Sequence, residues 1–123
     1  MTIIEAINRI DAVKPNNYKQ HEKVKWLSAL DGVVKSEIID THEGADGISF
    51  IGYDENTDIN TQLLIPAPYD IMYIYWLEAQ IDYHNGEMGK YNNSITMYNT
   101  AFTGYERAYN RSHMPRGSKF KFF

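Results

Sequence analysis

The C-terminal third of the sequence carries a heptad pattern of apolar residues, mostly aromatic. They recur at intervals of four, three, four, three and four residues, at Tyr91, Ile95, Tyr98, Phe102, Tyr105 and Tyr109. This period is typical of a helix that packs one face along another helix. A chain of 123 residues is long enough for one hydrophobic core and too short for two. We therefore predict one helical domain, with this helix paired inside the chain rather than exchanged between chains.

Three further helices are predicted upstream of this one. Thr2 and Glu5 have the spacing of a capping box and precede an apolar stripe of isoleucines. A second stripe runs over residues 24–38, with Gly32 inside it as a point where the helix kinks or splits. The third helix is predicted over residues 68–85 and is apolar nearly all round. Such a helix lies either at the centre of a bundle or between the domain core and a neighbouring molecule.

The helical period fails over residues 41–65, where glycines interrupt the sequence. Only residues 48–53 and 62–65 resemble strands, so we predict a long acidic loop, with one short hairpin as the alternative. Loops of this length are uncommon in small domains unless they are functional or are ordered by a partner. The predicted fold is all-α: a four-helix bundle-like domain over residues 1–115 and an extended, basic and aromatic C-terminal tail over residues 116–123.

The charges are unevenly distributed along the chain, although the net charge is only −4. No lysine or arginine occurs over residues 36–89, which contain eleven acids. Residues 106–123 contain five lysines and arginines and one acid. Two interpretations remain open. The acids form a solvated surface beside a frayed basic tail, or the two regions attract each other between subunits.

No motif of a catalytic or metal site is complete. Asp54, Asn56 and Asp58 alternate like the first ligands of a calcium loop, but Ile59 and Ile65 replace the required glycine and glutamate. An Asx-rich turn is the default for these residues. The four histidines lack zinc-protease spacing, and the absence of cysteine excludes thiolate metal sites and disulfides. We predict no cofactor and no bound metal.

Glu78 and Asp82 are the remaining catalytic candidates, since they lie one helical turn apart on the apolar third helix. A carboxyl pair of this kind can share a raised pKa and do acid–base work. Alternatively, they mark the exposed edge of the helix or a polar contact between subunits. A small hydrolase built on them or on the loop histidines would need a pocket that gathers these side chains. We predict that the chain is not an enzyme.

Four stretches of the sequence stand out together: Trp26, Leu27, Leu30 and Asp31 of the second helix, LLIPAPYD at residues 63–70 leading into residues 73–82, Tyr91 with Asn92 and Asn93, and YNRSHMP at residues 109–115. In these stretches the sequence resembles small structural proteins of tailed bacteriophages, in particular the head–tail connector, or adaptor, family. The resemblance covers most of residues 2–115 and lies in the general architecture and in short stretches of sequence rather than in a catalytic signature.

The resemblance implies a helical subunit that forms a ring of about twelve copies below the portal. The ring would join the capsid to the tail and line the DNA channel. Implied partners are further copies of the chain, the portal protein, a downstream neck, stopper or tail protein, and transiently passing double-stranded DNA, with no membrane. The protein would be assembled in the host cytoplasm and located in the neck of the virion. The alternatives are another neck or tail-completion protein, or a small prophage-encoded helical interaction module.

Site residues follow from this resemblance together with the charge and aromatic patterns. Ten tyrosines, concentrated on the last two helices, are more typical of surfaces buried by association than of a simple core. Residues predicted to bind a neighbouring subunit or the portal are Arg111, Arg116, Lys119, Phe120, Lys121, Phe122, Phe123, Tyr73 and Trp76. Residues predicted to line the channel are Glu43, Asp46, Asp54, Glu55 and Asp58.

Overall fold

The computed structural model describes residues 1–116, and within these residues the chain is all-α, as predicted. It has four helices, α1 (Ile3–Val13), α2 (Gln20–Val34), α3 (Ile71–His84) and α4 (Met88–Ser112), and no β-strand among the residues described. Helix α3 lies at the centre, because it contacts each of the other three helices. The apolar character of α3 on nearly all sides follows from this position.

Helix α1 begins at the predicted capping box. The Thr2 hydroxyl accepts a hydrogen bond from the Glu5 backbone N–H (3.2 Å), and the Glu5 carboxylate accepts one from the Thr2 N–H (2.8 Å). These bonds hold the pKa of the Glu5 carboxyl below its usual value. The stripe that follows, Ile3, Ala6, Ile7 and Ile10, is buried.

Helix α2 does not split at Gly32, since it runs without interruption from Gln20 to Val34. It continues past Val34 into a π-helical turn, Lys35–Ile39, which brings both Ile38 and Ile39 into the core. A π turn adds one residue to the helical turn and so shifts the face that the following side chains present. This shift explains how two consecutive isoleucines become buried.

Helices α3 and α4 form an antiparallel pair that is closed by Gly86, whose φ of 75° is the left-handed conformation that glycine adopts most readily. Helix α3 begins at Ile71, three residues later than predicted. The heptad seam of α4 faces α3, with Tyr105 and Tyr109 buried and the Tyr98 ring 5.0 Å from that of Trp76. Helix α4 therefore packs against α3 along its heptad seam.

Residues 41–65, which we call the acidic arm, run back along α2 instead of forming the alternative hairpin. The Phe50 ring passes beside Gly32, and the Tyr53 backbone N–H donates to the Ser28 hydroxyl (2.9 Å). The only regular feature in this segment is a short 3₁₀ turn, Ala45–Gly47. Hydrogen bonds within the arm are confined to local turns, and none joins residues 48–53 to residues 62–65, so no hairpin forms.

The end of the arm completes the N-terminus of α1. The backbone carbonyls of Thr61 and Ile59 accept hydrogen bonds from the N–H groups of Ile3 (3.0 Å) and Ile4 (2.9 Å). The first N–H groups of a helix have no partner within the helix. The arm therefore supplies hydrogen-bond acceptors for two N–H groups of α1, and these bonds hold the C-terminal end of the arm against the helix.

Candidate functional site

The acidic arm is fastened to the helices through the buried carboxylate of Asp31. Asp31 lies on α2 and is 0% exposed. One carboxylate oxygen accepts hydrogen bonds from the Tyr53 hydroxyl (2.5 Å) and the Leu64 backbone N–H (3.1 Å). The other accepts from the Tyr73 hydroxyl (2.6 Å), which in turn accepts from the Ile65 N–H (2.8 Å). Two separate parts of the arm are thus tied to α2 and α3 at one point.

Burial governs the protonation of this centre. It raises the pKa of the Asp31 carboxyl, and the hydrogen bonds from Tyr53 and Tyr73 act in the opposite direction. Burial, together with the nearby Asp31, also raises the pKa of the Tyr53 and Tyr73 hydroxyls well above the usual range. Both tyrosine hydroxyls therefore stay protonated and keep donating their hydrogen bonds to Asp31. The arrangement acts as a structural anchor.

The raised pKa of the Asp31 carboxyl leads to a prediction for Asp31→Asn, a variant in which residue 31 no longer gains or loses a proton. Because the pKa is higher in the folded than in the unfolded chain, the folded state holds the proton more tightly. The resulting stabilisation is fully present below the unfolded pKa of about 3.9 and is lost as the pH rises through the folded pKa.

We therefore expect the destabilisation caused by Asp31→Asn to be largest at acidic pH and to shrink toward neutral pH. Urea unfolding of both proteins at a series of pH values measures this difference. A destabilisation that grows as the pH rises would contradict the assignment.

The five predicted channel acids are all exposed and are spread along the arm. Asp54 and Asp58 accept hydrogen bonds from the backbone N–H groups of Asn56 and Asn60 (2.8 Å each), which are Asx turns. Asp46 is 99% exposed and lies 3.3 Å from the Arg116 guanidinium. Within residues 1–116, no three acidic or histidine side chains converge as metal ligands would.

The start of the arm is joined to the C-terminal end of α4. The Glu43 N–H donates to the Met114 carbonyl (2.8 Å), and the Arg116 N–H donates to the Thr41 carbonyl (2.9 Å). Between these two bonds, the buried His42 ring lies with one nitrogen 2.6 Å from the Asn110 side-chain oxygen. Arg116, the last residue that the structure describes, therefore lies beside the arm.

His42 lies in the predicted loop, but it is buried rather than exposed to solvent. Its other ring nitrogen lies 2.6 Å from the Ile38 carbonyl oxygen. Its ring packs edge-on against Tyr109, which stacks on His113 with 3.8 Å between the ring centroids. His42 thus helps to hold the end of α4 against the arm.

The residues predicted to bind a partner have different environments. The prediction is wrong for Tyr73, which is 0% exposed and bonded to Asp31 inside the domain. Trp76 is half-buried, and its indole N–H donates to the Trp26 carbonyl (2.8 Å). Arg111 and Arg116 are exposed. Five of the predicted residues lie outside the part of the chain that the structure describes: Lys119, Phe120, Lys121, Phe122 and Phe123.

Glu78 and Asp82 share a surface cavity of about 220 Å³ between α3, α4 and the end of α1. Asp82 is 1% exposed. One of its oxygens accepts from the Lys14 ammonium (2.6 Å) and the other from the Ser94 hydroxyl (2.7 Å). Both oxygens are therefore engaged within the domain, and His42 does not line this cavity. The arrangement joins three helices and favours a structural role for Asp82 over the acid–base role.

Comparison with known proteins identifies no relative, since no family model, no curated protein and no solved structure matches this sequence. None of the helices formed by residues 1–116 is long and apolar enough to cross a membrane. A functional assignment therefore depends on the residues and contacts described above.

Proposed function

We propose that this chain is a structural subunit of a virus particle, a head–tail connector that forms a ring below the portal. In this role it joins the capsid to the tail and surrounds the path of the DNA. No catalytic step is assigned to it. The proposal extends the sequence resemblance, and it is supported by an all-helical fold whose buried polar side chains, Asp31, Asp82 and His42, are engaged in internal contacts.

The observation that carries the proposal is that four exposed arm acids and two exposed arginines of α4 have no ion-pair partner among the described residues of their own subunit, whereas Asp46 and Arg116 lie 3.3 Å apart. Among residues 1–116, no lysine or arginine lies within ion-pair distance of the exposed arm acids Glu43, Asp54, Glu55 and Asp58. In the same part of the chain, no carboxylate lies within that distance of Arg107 or Arg111, which are exposed on α4. Each surface therefore has charge available for a partner.

Two unlike complementary surfaces favour head-to-tail association, because the arm of one subunit can receive the basic end of the next. Such a contact repeats from copy to copy and closes into a ring when the rotation between subunits permits. Charge complementarity also orients the subunits as they meet. Arm acids left facing the channel would repel the phosphate backbone, so that DNA passes without binding.

Sedimentation velocity on charge-reversed variants tests this association. We expect the unmodified chain to form a closed oligomer of about twelve copies that dissociates as salt screens the charges. Arg107→Glu with Arg111→Glu is expected to abolish the oligomer. A matched double reversal on α1 and before α2, Arg9→Glu with Lys19→Glu, should leave it intact. Equal effects of the two double variants would contradict the proposal.

A further inference from the structure

The acidic arm has an open apolar groove on its outer side. A cavity of about 260 Å³ is lined by the apolar side chains of Phe50, Ile51, Tyr53 and Leu64 and by Ser49, Gly52, Thr57, Thr61 and Gln62. The side chain of Ile51 is 99% exposed, more than any other large apolar residue described. An isoleucine in this state gains from any partner that covers it.

The backbone of the arm fixes Ile51 in this exposed position. Gly52 has a φ of 95°, which side-chain-bearing residues rarely adopt. The next residue, Tyr53, is held by the Ser28 hydroxyl and by the Asp31 carboxylate. The chain therefore turns sharply between an exposed Ile51 and an anchored Tyr53, so that the groove is built into the fold.

Acids lie along one side of this groove. Tyr53 also lines a second cavity, of about 280 Å³, together with Asp54, Glu55, His21 and Lys25. Within residues 1–116, no cationic side chain lies within ion-pair distance of Asp54 or Glu55. Both of these acids are exposed. The combined surface offers apolar contacts beside negative charge, and it therefore fits an extended segment that carries aromatic side chains and cations together.

The chain itself contains such a segment, at residues 117–123. Its sequence, GSKFKFF, has two lysines, three phenylalanines and no acidic side chain. Lys119, Phe120, Lys121 and Phe122 alternate in sequence, so that the segment carries cations and aromatic rings side by side. Seven residues span at most roughly 25 Å when fully extended, which is the reach available to the segment beyond Arg116.

We propose that the groove at Phe50, Ile51, Tyr53 and Leu64 binds residues 117–123 of a second copy of this chain. The phenylalanines cover Ile51 and the apolar cavity, and the lysines pair with Asp54 and Glu55. This inference rests on the proposed head-to-tail association and specifies the contact that holds one subunit to the next.

Cysteine cross-linking between two differently tagged chains tests the contact, because the protein contains no cysteine of its own. One chain carries Ile51→Cys and the other Phe122→Cys, and the two are mixed and oxidised. Val13→Cys is the matched control, since Val13 is 59% exposed on α1. We expect the Ile51→Cys chain to give predominantly the mixed dimer with Phe122→Cys. Equal yields from Ile51→Cys and Val13→Cys would overturn the inference.

A charge exchange tests the pairing of lysines with acids. Lys119→Glu with Lys121→Glu, and separately Asp54→Lys with Glu55→Lys, should each weaken self-association by roughly tenfold or more, because like charges then face each other. Mixing the two variants should restore association, since every tail then meets an arm of opposite charge. Failure of the mixture to associate would overturn the inference. A chain that carries both Ile51→Cys and Phe122→Cys and cross-links only within itself would also overturn it.

These results separate the inference from the proposed function. Rings that bind portal without preferential cross-linking at Ile51 would overturn the groove contact and leave the connector function standing. Preferential cross-linking in a protein that does not bind portal would support the groove contact and contradict the connector function.

Discussion

Replacing Asp31 with alanine is expected to lower the free energy of unfolding by about 3–5 kcal/mol, because buried donors are left without an acceptor. The variant removes the shared partner of the Tyr53 and Tyr73 hydroxyls and the Leu64 N–H. Small domains are stable by only about 5–15 kcal/mol, so this loss would leave the protein marginal. Urea denaturation followed by circular dichroism measures it.

Asp46→Ala is the control for this prediction, since Asp46 is an exposed acid of the same arm. It should leave the urea midpoint unchanged, because exposed ion pairs contribute little. If Asp31→Ala were as stable as Asp46→Ala, the Asp31 centre would not be what fastens the arm.

Replacing Lys14 with methionine is expected to cost about 2–4 kcal/mol, because it leaves the buried Asp82 carboxylate without its counter-ion. The side chain of Lys14 is 21% exposed and that of Asp82 is 1% exposed. Methionine retains most of the apolar contact of the lysine, so the loss reports on the charge. Thermal and urea unfolding measure it.

A second substitution distinguishes loss of the counter-ion from general damage. Adding Asp82→Leu to Lys14→Met removes both charges and should recover most of the lost stability, as apolar replacements of buried ion pairs often do. Lys90→Met alters a lysine whose side chain is 66% exposed, and it should leave stability unchanged. A double variant less stable than Lys14→Met would show that the ion pair is not the cause.

The helices were predictable because their signals are local. The Thr2 and Glu5 box lies within one helical turn, and the heptad of α4 shows its buried face without reference to any other element. The start of α3 was placed too early because Pro68 suits a first helical turn. In the structure, residues 66–70 form turns before the helix begins.

The course of the arm was not predictable in the same way, because its partners are distant in sequence. Tyr73 was assigned to a partner surface since tyrosine suits interfaces, but its hydroxyl finds Asp31, 42 residues earlier. One signal was present, because Asp31 falls within the apolar stripe formed by Leu27, Leu30 and Val34. An acid at such a position indicates a buried carboxylate with dedicated donors.

The candidate surfaces were predicted in part. Exposure of the arm acids and of Arg111 follows from their charge, and the structure has these residues exposed. The pairing of His42 with Asn110 across 68 positions and the engagement of Asp82 by Lys14 depend on tertiary packing. No local pattern reports such contacts. The roles of the arm acids in a channel and of the basic end in subunit contact stay predictions.

Cryo-electron microscopy of the purified chain mixed with the portal protein from the same genome tests the connector proposal most directly. We expect a ring of about twelve copies stacked on the portal, with arm acids toward the channel and each basic C-terminal end against the arm of the next subunit. Portal particles without an added ring, beside a chain that remains monomeric, would contradict the proposal.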